Sequence, residues 1–478
     1  MSFVCSARRL AVFLLVIFPA ISFSQSLQSF RTLATFDDTG GYWIQYTSLV
    51  QGRDGNFYGT SAAGGLTGQG MIFRITADGA LAVVHSFCVP PTNPCPDGYS
   101  PMGGLIQGTD GYFYGTTLGG GTYDGGTIFK ITASGKLTTL YNFCAEGYPC
   151  TNGGYPSAAL VQDRDGDFYG TTYYGGDFYD GTIFRITPQG ALSKLYSFCA
   201  QAGCEDGDLP TAALALGPDG SLYGTAQRGA IDDSGTIFKL NKAGVFEVLH
   251  RFCVAGPSCA DGAIPYAGLI LGSDGRFYGT TAGGGMPAGG TVFNITEDGT
   301  QTVLYSVCSG GGGCSTGYNP VMGLVQATDG NFYGSMSWGA SSLFEITPSG
   351  KWTVLYQLPT SLGDVSSALL QSTNGKFYGT TLIGGENPEG TIFVFDVGLA
   401  PFATFVRRWG RIGQTAEILG QGFVGTTSVS FNGVPAEFSV RSDTFLTATI
   451  PAHATTGLVT VTTPAGALVS NVSFKILP

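Results

Sequence analysis

Charge is scarce in this chain. Only 12% of its 478 residues are Asp, Glu, Lys or Arg, and 22 basic residues against 33 acidic ones leave a net charge of −11. Neutralising nucleic-acid phosphates takes clustered Lys and Arg, and no such run exists, so nucleic acid is excluded as a partner. Histidine is scarcer still: His85, His250 and His453 stand far apart, too dispersed for a histidine-based metal centre. No phosphate loop, nucleophile motif or metal-ligating helix is present. Long apolar runs are missing too, except near the start, where Arg8 and Arg9 precede Leu10 to Phe18 and then the small residues Ser22 and Ser24. That pattern reads as a signal peptide over residues 1–24, and the run is short for a bilayer, so no membrane span is expected after cleavage. Cys5 lies before the apolar run, whereas a lipidated cysteine would follow it directly.

Glycine, by contrast, is abundant at 76 residues, and aromatics make up 13%. Many short strands and tight turns suit that balance, so an all-β protein is expected. A unit of Asp-Gly, one variable residue, Phe or Leu, then Tyr-Gly recurs from Asp54, Asp110, Asp165, Asp219, Asp274, Asp329 and, with Asn for Asp, Asn374. The steps of 56, 55, 54, 55, 55 and 45 residues fit four-stranded propeller blades. Each copy divides into four β-rich segments, termed strands a to d, with Gly104 to Gln107, Tyr112 to Thr117, Gly126 to Thr132 and Leu137 to Phe143 as the example. Asp-Gly between a and b predicts a two-residue type I′ hairpin. A leucine five residues before each turn (Leu49, Leu105, Leu160, Leu214, Leu269, Leu324, Leu369) and the tyrosine four after it are expected in the core. The seventh copy ends after Thr391-Ile392-Phe393-Val394-Phe395 without a strand d, while Phe30 to Phe36 resembles an orphan strand d. Lending that strand to the last blade pairs both open edges and closes the ring.

Ten further cysteines fall in five pairs at one place in the repeat: Cys88/Cys95, Cys144/Cys150, Cys199/Cys204, Cys253/Cys259 and Cys308/Cys314. Spacings of five to seven residues, one pair per blade, predict local disulfides across the d–a loop rather than zinc, and hence an oxidising compartment. No metal or cofactor is expected. Asp163, Asp165 and Asp167 alternate around one turn, but they lack the full calcium-ligand series, and a hairpin turn is the better reading.

From Pro401 the repeat stops and a new β pattern begins, which reads as an immunoglobulin-like β-sandwich over residues 401–478. Gly420-Gln421-Gly422-Phe423, Val429 to Ala436, Ile450-Pro451-Ala452 and Gly457 to Val461 resemble an IPT/TIG domain. Residues 29–397, with units such as Asp54-Gly55-Asn56-Phe57-Tyr58-Gly59-Thr60 and Gly126 to Thr132, resemble the GloVer tandem-repeat family of exported bacterial proteins. That resemblance implies an extracellular protein and brings no catalytic residues with it. Family members often end in a sorting anchor, whereas this chain ends in Ser473 to Pro478, so free secretion is expected.

The expected fold is thus a seven-bladed β-propeller closed by an N-terminal strand and followed by the sandwich. In a propeller the b–c and d–a links share one face. The a–b and c–d links are short and uniform, but the b–c links vary, and variation marks the working face. The candidate ligand-binding residues there are Tyr123, Asp124, Tyr173, Tyr174, Asp177, Phe178, Tyr179, Asp180 and Trp338. Tyr42, Trp43, Tyr99, Tyr155, Tyr266 and Tyr318 stand close by in the d–a loops. Aromatic rings stack on sugar faces while carboxylates accept from hydroxyls, which points to a polysaccharide, or a cell-surface protein, as partner. No catalytic residues are assigned and the chain is read as a non-enzyme. The alternatives are an extracellular polysaccharide-degrading hydrolase or lyase, whose carboxylates converge from separate blades, and a passive adhesin or spacer.

Overall fold

The computed structural model describes residues 28–36, 48–90, 95–254, 256, 258–286, 288–308, 314, 317–386 and 389–478. The expected signal peptide, Tyr42 and Trp43 lie outside them. The fold is all-β, with three short 3-10 turns as the only helical segments among the described residues. Seven four-stranded antiparallel sheets are built from the repeat. In the first, strand a is Val50–Gln51, b is Phe57–Ser61, c is Met71–Ile75 and d is Leu81–Ser86. The seventh takes Leu370–Gln371, Phe377–Thr381 and Thr391–Asp396, and its fourth strand is Ser29–Thr35, which pairs antiparallel with Thr391–Asp396 from Ser29↔Asp396 to Thr35↔Thr391. The orphan strand therefore closes the last sheet as its sequence implied.

Burial follows position in the sheet. Strands b and c are buried nearly throughout because neighbouring sheets cover both faces, and so they read as continuous apolar runs rather than alternating ones. Strand d is half-buried at the periphery. The glycine after the repeat tyrosine is demanded by close approach. A Cβ on Gly59 would stand 2.5 Å from the Phe73 ring and 3.0 Å from Leu49, and the same Leu-Gly-Phe contact recurs at Gly170, Gly279 and Gly379.

Adjacent sheets are joined by a ladder of rings. The tyrosine of one strand b meets the phenylalanine that opens the next: Tyr58 to Phe113 at 4.2 Å, Tyr114 to Phe168 at 4.0 Å, Tyr223 to Phe277 at 4.0 Å, Tyr278 to Phe332 at 3.9 Å and Tyr333 to Phe377 at 4.5 Å. Tyr378 of the seventh sheet then meets Phe57 of the first at 4.2 Å, which carries the ladder across the closing seam, while between the third and fourth sheets Tyr169 packs in one cluster with Leu222 instead of a ring. Gln51 reinforces the seam, accepting from the Thr373 N–H at 3.1 Å and donating to the Thr373 hydroxyl at 3.0 Å. Most ladder tyrosines are held by their turns, Tyr223 being the exception. The Tyr58 hydroxyl donates to Asp54 at 2.7 Å while the other Asp54 oxygen accepts the Asn56 N–H at 3.2 Å.

The a–b turns differ from the type I′ expectation. In each, only the glycine takes positive φ (Gly55 at 80°, Gly111 at 89°) and its N–H donates to the residue three back, Gly55 to Gly52 at 2.9 Å. This is a three-residue loop ending in a left-handed glycine. In the first, second, fifth and sixth turns the aspartate carboxylate accepts the N–H two residues on and the tyrosine hydroxyl. Strand a is also shorter than expected, with two ladder residues per sheet.

The remaining residues form two further four-stranded sheets and a parallel pair, Trp409–Arg411 with Lys475–Leu477, around a core that includes Ile418, Phe431, Leu446, Val461 and Phe474. This unit docks on the a–b turns. Arg53 pairs with Glu417 at 2.5 Å, donates to the Thr109 carbonyl at 3.1 Å and lies over the Phe445 ring, while Gln421 donates to Thr373 at 2.7 Å.

Replacing Phe57 with alanine should cost about 3–5 kcal/mol in urea unfolding, as for other buried phenylalanines. A Phe57→Ala protein with the parent's unfolding midpoint would show that the seam contributes nothing to ring stability.

Candidate functional site

All five expected disulfides are present, linking Cys88 to Cys95, Cys144 to Cys150, Cys199 to Cys204, Cys253 to Cys259 and Cys308 to Cys314. They tie the d–a loops to the b–c loops: the Cys150 carbonyl accepts from Gly176 at 3.0 Å and the Cys95 carbonyl from Gly121 at 2.7 Å. Isolated backbone bridges, Tyr99 with Gly119, Gly154 with Tyr174 and Tyr318 with Trp338, join the same two loops, so both lie on one face. The two strand-d histidines serve these loops. His85 contacts Asp97 at 2.9 Å and His250 contacts Asp261 at 3.1 Å, and each aspartate accepts the N–H of the first cysteine in its pair. Tyr196 does the same work in the third sheet through Asp206 at 2.7 Å.

On that face the strand-a segments of all seven sheets converge on a central cavity of about 660 Å³. Leucines of the repeat, alanines, Met102, Met322, Val321 and Val325 line it, with Tyr155, Tyr173, Tyr174 and Tyr266, and among the described residues the lining contains no carboxylate, ammonium, guanidinium or imidazole group. Tyr155 is placed by an unusual backbone. It has φ of 58° although it is not glycine and precedes Pro156, a conformation that costs energy unless neighbours enforce it. Its N–H donates to the Gly125 carbonyl of the preceding sheet at 2.7 Å, and its carbonyl accepts from Tyr173 at 3.1 Å. Ser100, Leu209, Ile264 and Asn319 repeat the conformation, so the fold fixes the backbone of the rim while its side chains differ.

The candidates divide by place. Tyr173 and Tyr174 meet edge to face at 4.3 Å and line the cavity. Tyr123, Phe178, Tyr179 and Trp338 lie outside its lining, and together with Tyr174 they are 45% to 58% exposed, an unusual display of large rings on one face. Tyr148, more exposed still, lies 6.1 Å from Tyr179. Two candidate acids shape loops instead: Asp124 accepts the Gly120 N–H at 3.0 Å, and Asp177 is engaged by Lys194 at 2.6 Å and Ser197 at 3.1 Å. The Lys194 hydrogen bond holds the Asp177 carboxyl below the usual carboxylate range. Asp180 is pushed up by burial and by neighbouring Asp206. It also approaches Cys199 and Cys204, but both sulfurs are consumed in a disulfide, so the trio is no ligand set. Asp163 and Asp167 are likewise committed, Asp163 to the Asp165 and Asp167 N–H groups and Tyr169, Asp167 to Arg185.

One acid escaped sequence reasoning. Asp208 is pushed up to about 6, chiefly by burial and then by Asp233 and Asp180 against the opposing pull of Arg228, and its field reaches Tyr173 at the cavity mouth. A signal was there to read: Asp208 stands six residues before the repeat leucine, where the second and sixth copies carry Tyr99 and Tyr318.

The model of the Gloeobacter/Verrucomicrobia repeat matches residues 45–259 and 254–433. The chain belongs to this repeat family. Among curated proteins nothing matches it. Of solved structures, the extracellular domain of a provisionally named hybrid two-component system from Bacteroides thetaiotaomicron superposes with a TM-score of 0.50 at 11% identity, covering 95% of this chain and 60% of that one. The likeness is one of fold. A provisionally named gluconolactonase matches at 15% identity, TM-score 0.41 and coverage of 79% and 94%. A provisionally named 6-phosphogluconolactonase from Bacteroides fragilis matches at 18%, 0.43 and 68% and 88%. Both similarities are too distant to bring an activity to this family member.

Two pH effects follow. Burial lowers the His250 value against the opposing pull of Asp261, so the folded state takes up its proton less readily than the unfolded chain, and stability is lost as pH falls below the unfolded value of about 6.5. His250→Tyr, which copies Tyr196, should flatten the fall in melting temperature between about pH 6.5 and pH 5; an unchanged slope would clear His250 of that role. Asp208 works in the opposite sense, because a raised carboxyl costs stability once pH exceeds its unfolded value. Asp208→Asn should therefore melt above the parent at pH 8, with the gain vanishing below about pH 3.9. Equal melting at pH 8 would refute it.

Proposed function

We propose that this chain is an extracellular binding protein: a seven-bladed β-propeller, exported by residues 1–24, carrying an immunoglobulin-like IPT/TIG module on its turn face and docking a carbohydrate or cell-envelope polymer on the opposite, loop face. The observation that carries this reading is the row of half-exposed rings, Tyr174, Phe178, Tyr179 and neighbouring Tyr148, on a face whose loops are stapled by disulfides. Large exposed aromatics are costly in water unless a partner covers them, and rigid loops lose little entropy when one does. Disulfides are stable outside the cell, where such polymers are met. Catalysis is not part of the proposal, since Asp177 and Asp124 are spent on loop structure. On a glycan array the parent should bind saturably, and replacing Tyr173, Tyr174, Phe178 and Tyr179 with serine should abolish binding while leaving the melting curve intact. Binding undiminished in that variant, or turnover of the bound polymer, would overturn the reading.

A further inference from the structure

The central cavity selects among sugars. Its volume of about 660 Å³ falls in the range of small-ligand sites. Around it each sheet presents a small residue just before the repeat leucine, including Ala159, Ala213, Gly268, Gly323 and Ala368. Packing explains only part of this smallness. A Cβ on Gly268 would stand 2.5 Å from the Ala213 carbonyl oxygen, so that glycine is required by its neighbour. A Cβ on Gly323 would meet nothing nearer than the Ala368 Cβ at 3.7 Å, so there the missing side chain simply leaves the cavity open.

Strand a forms its ladder over only the two residues after the leucine. The N–H and C=O groups of Ala159, Ala213, Gly268 and Gly323 have no protein partner among the described residues, although the carbonyls just before the first three, on Ala158, Ala212 and Ala267, accept from Thr116, Thr171 and Thr225. A buried or half-buried peptide group needs a partner, which here is water or ligand. Apolar walls, tyrosine rings and the open N–H and C=O groups of these four residues suit a molecule with flat apolar faces and uncharged hydroxyls. An anion would fare badly: among the described residues no cationic side chain lines the cavity to replace its water, and at the mouth Asp208 acts on Tyr173 with Asp180 and Asp233 beside it, three acids against Arg228, which is itself paired with Asp233.

We infer that the cavity receives a neutral glycosyl unit, a pyranose without carboxylate, phosphate or sulfate, entering between Tyr155, Tyr173 and Tyr174 as the end of a chain held outside by the exposed rings. This rests on the proposed glycan binding and names its substrate class and its innermost subsite. Titration calorimetry of the full chain with cellohexaose, laminarihexaose, xylohexaose and mannohexaose, and with hexagalacturonate, tests it. At least one neutral hexasaccharide should bind and hexagalacturonate should not. Gly323→Leu and, separately, Ala213→Leu fill the cavity from different sheets and should each weaken that binding about tenfold or more, with melting temperatures near the parent's. Binding of hexagalacturonate alone, or neutral binding unaffected by a folded cavity-filling variant yet lost in the serine variant, would overturn the inference and leave loop-face binding standing. Binding by none of the five would overturn both.

Discussion

The stacking of a tyrosine from one sheet on a phenylalanine from the next is the contact on which the architecture depends. A single four-stranded sheet with buried inner strands has two apolar faces and cannot stand alone, so each sheet is stable only between neighbours. The ring pairs set the spacing of those neighbours, and the aspartate that holds the tyrosine hydroxyl joins spacing to turn geometry. The repeat signature is thus one device: Asp fixes the turn, Tyr reaches back to it, and Phe from the adjoining sheet closes over the Tyr. Where Leu222 replaces Phe between the third and fourth sheets, the ladder is interrupted and a cleft of about 390 Å³ lies on the turn side, lined by Tyr169, Arg185 and Leu222.

Much of this could be read from sequence because the device is local. Asp54, Tyr58 and Gly59 fall within six residues, and their recurrence reveals the number of sheets before any coordinates do. The borrowed strand was legible for a different reason: an incomplete last copy and an orphan segment at the other end have complementary needs. The turn type differs from the expectation because Asp-Gly suits several hairpins, and here only the glycine takes positive φ. In the third turn the tyrosine turns to Asp163 rather than Asp165, a shift that spacing alone does not reveal.

The candidate site was legible only in part. Variable loops rich in tyrosine are legible in the sequence, and of the residues they offer Tyr173 and Tyr174 line the cavity. The cavity itself was hidden, since its walls are the small and aliphatic residues that also build the core. Convergence of Ala159, Ala213 and Gly323 is a property of the closed ring and has no signature within one repeat. Asp208 was passed over because its raised value arises from burial and from Asp180 and Asp233, which are brought to it by adjoining loops.

The closing strand has a mechanical corollary. Ser29 lies opposite Asp396, so chain entering at residue 28 and chain leaving at residue 397 depart from the same end of one antiparallel pair. Tension between those two points would peel the pair apart one hydrogen bond at a time, the direction in which such a pair resists least. The C-terminal unit grips Arg53 in the first sheet and Thr373 in the seventh, on either side of that seam. Those contacts bridge the first and seventh sheets a second time, on the turn side, so the junction made of two separate stretches of chain is tied by more than the borrowed strand alone.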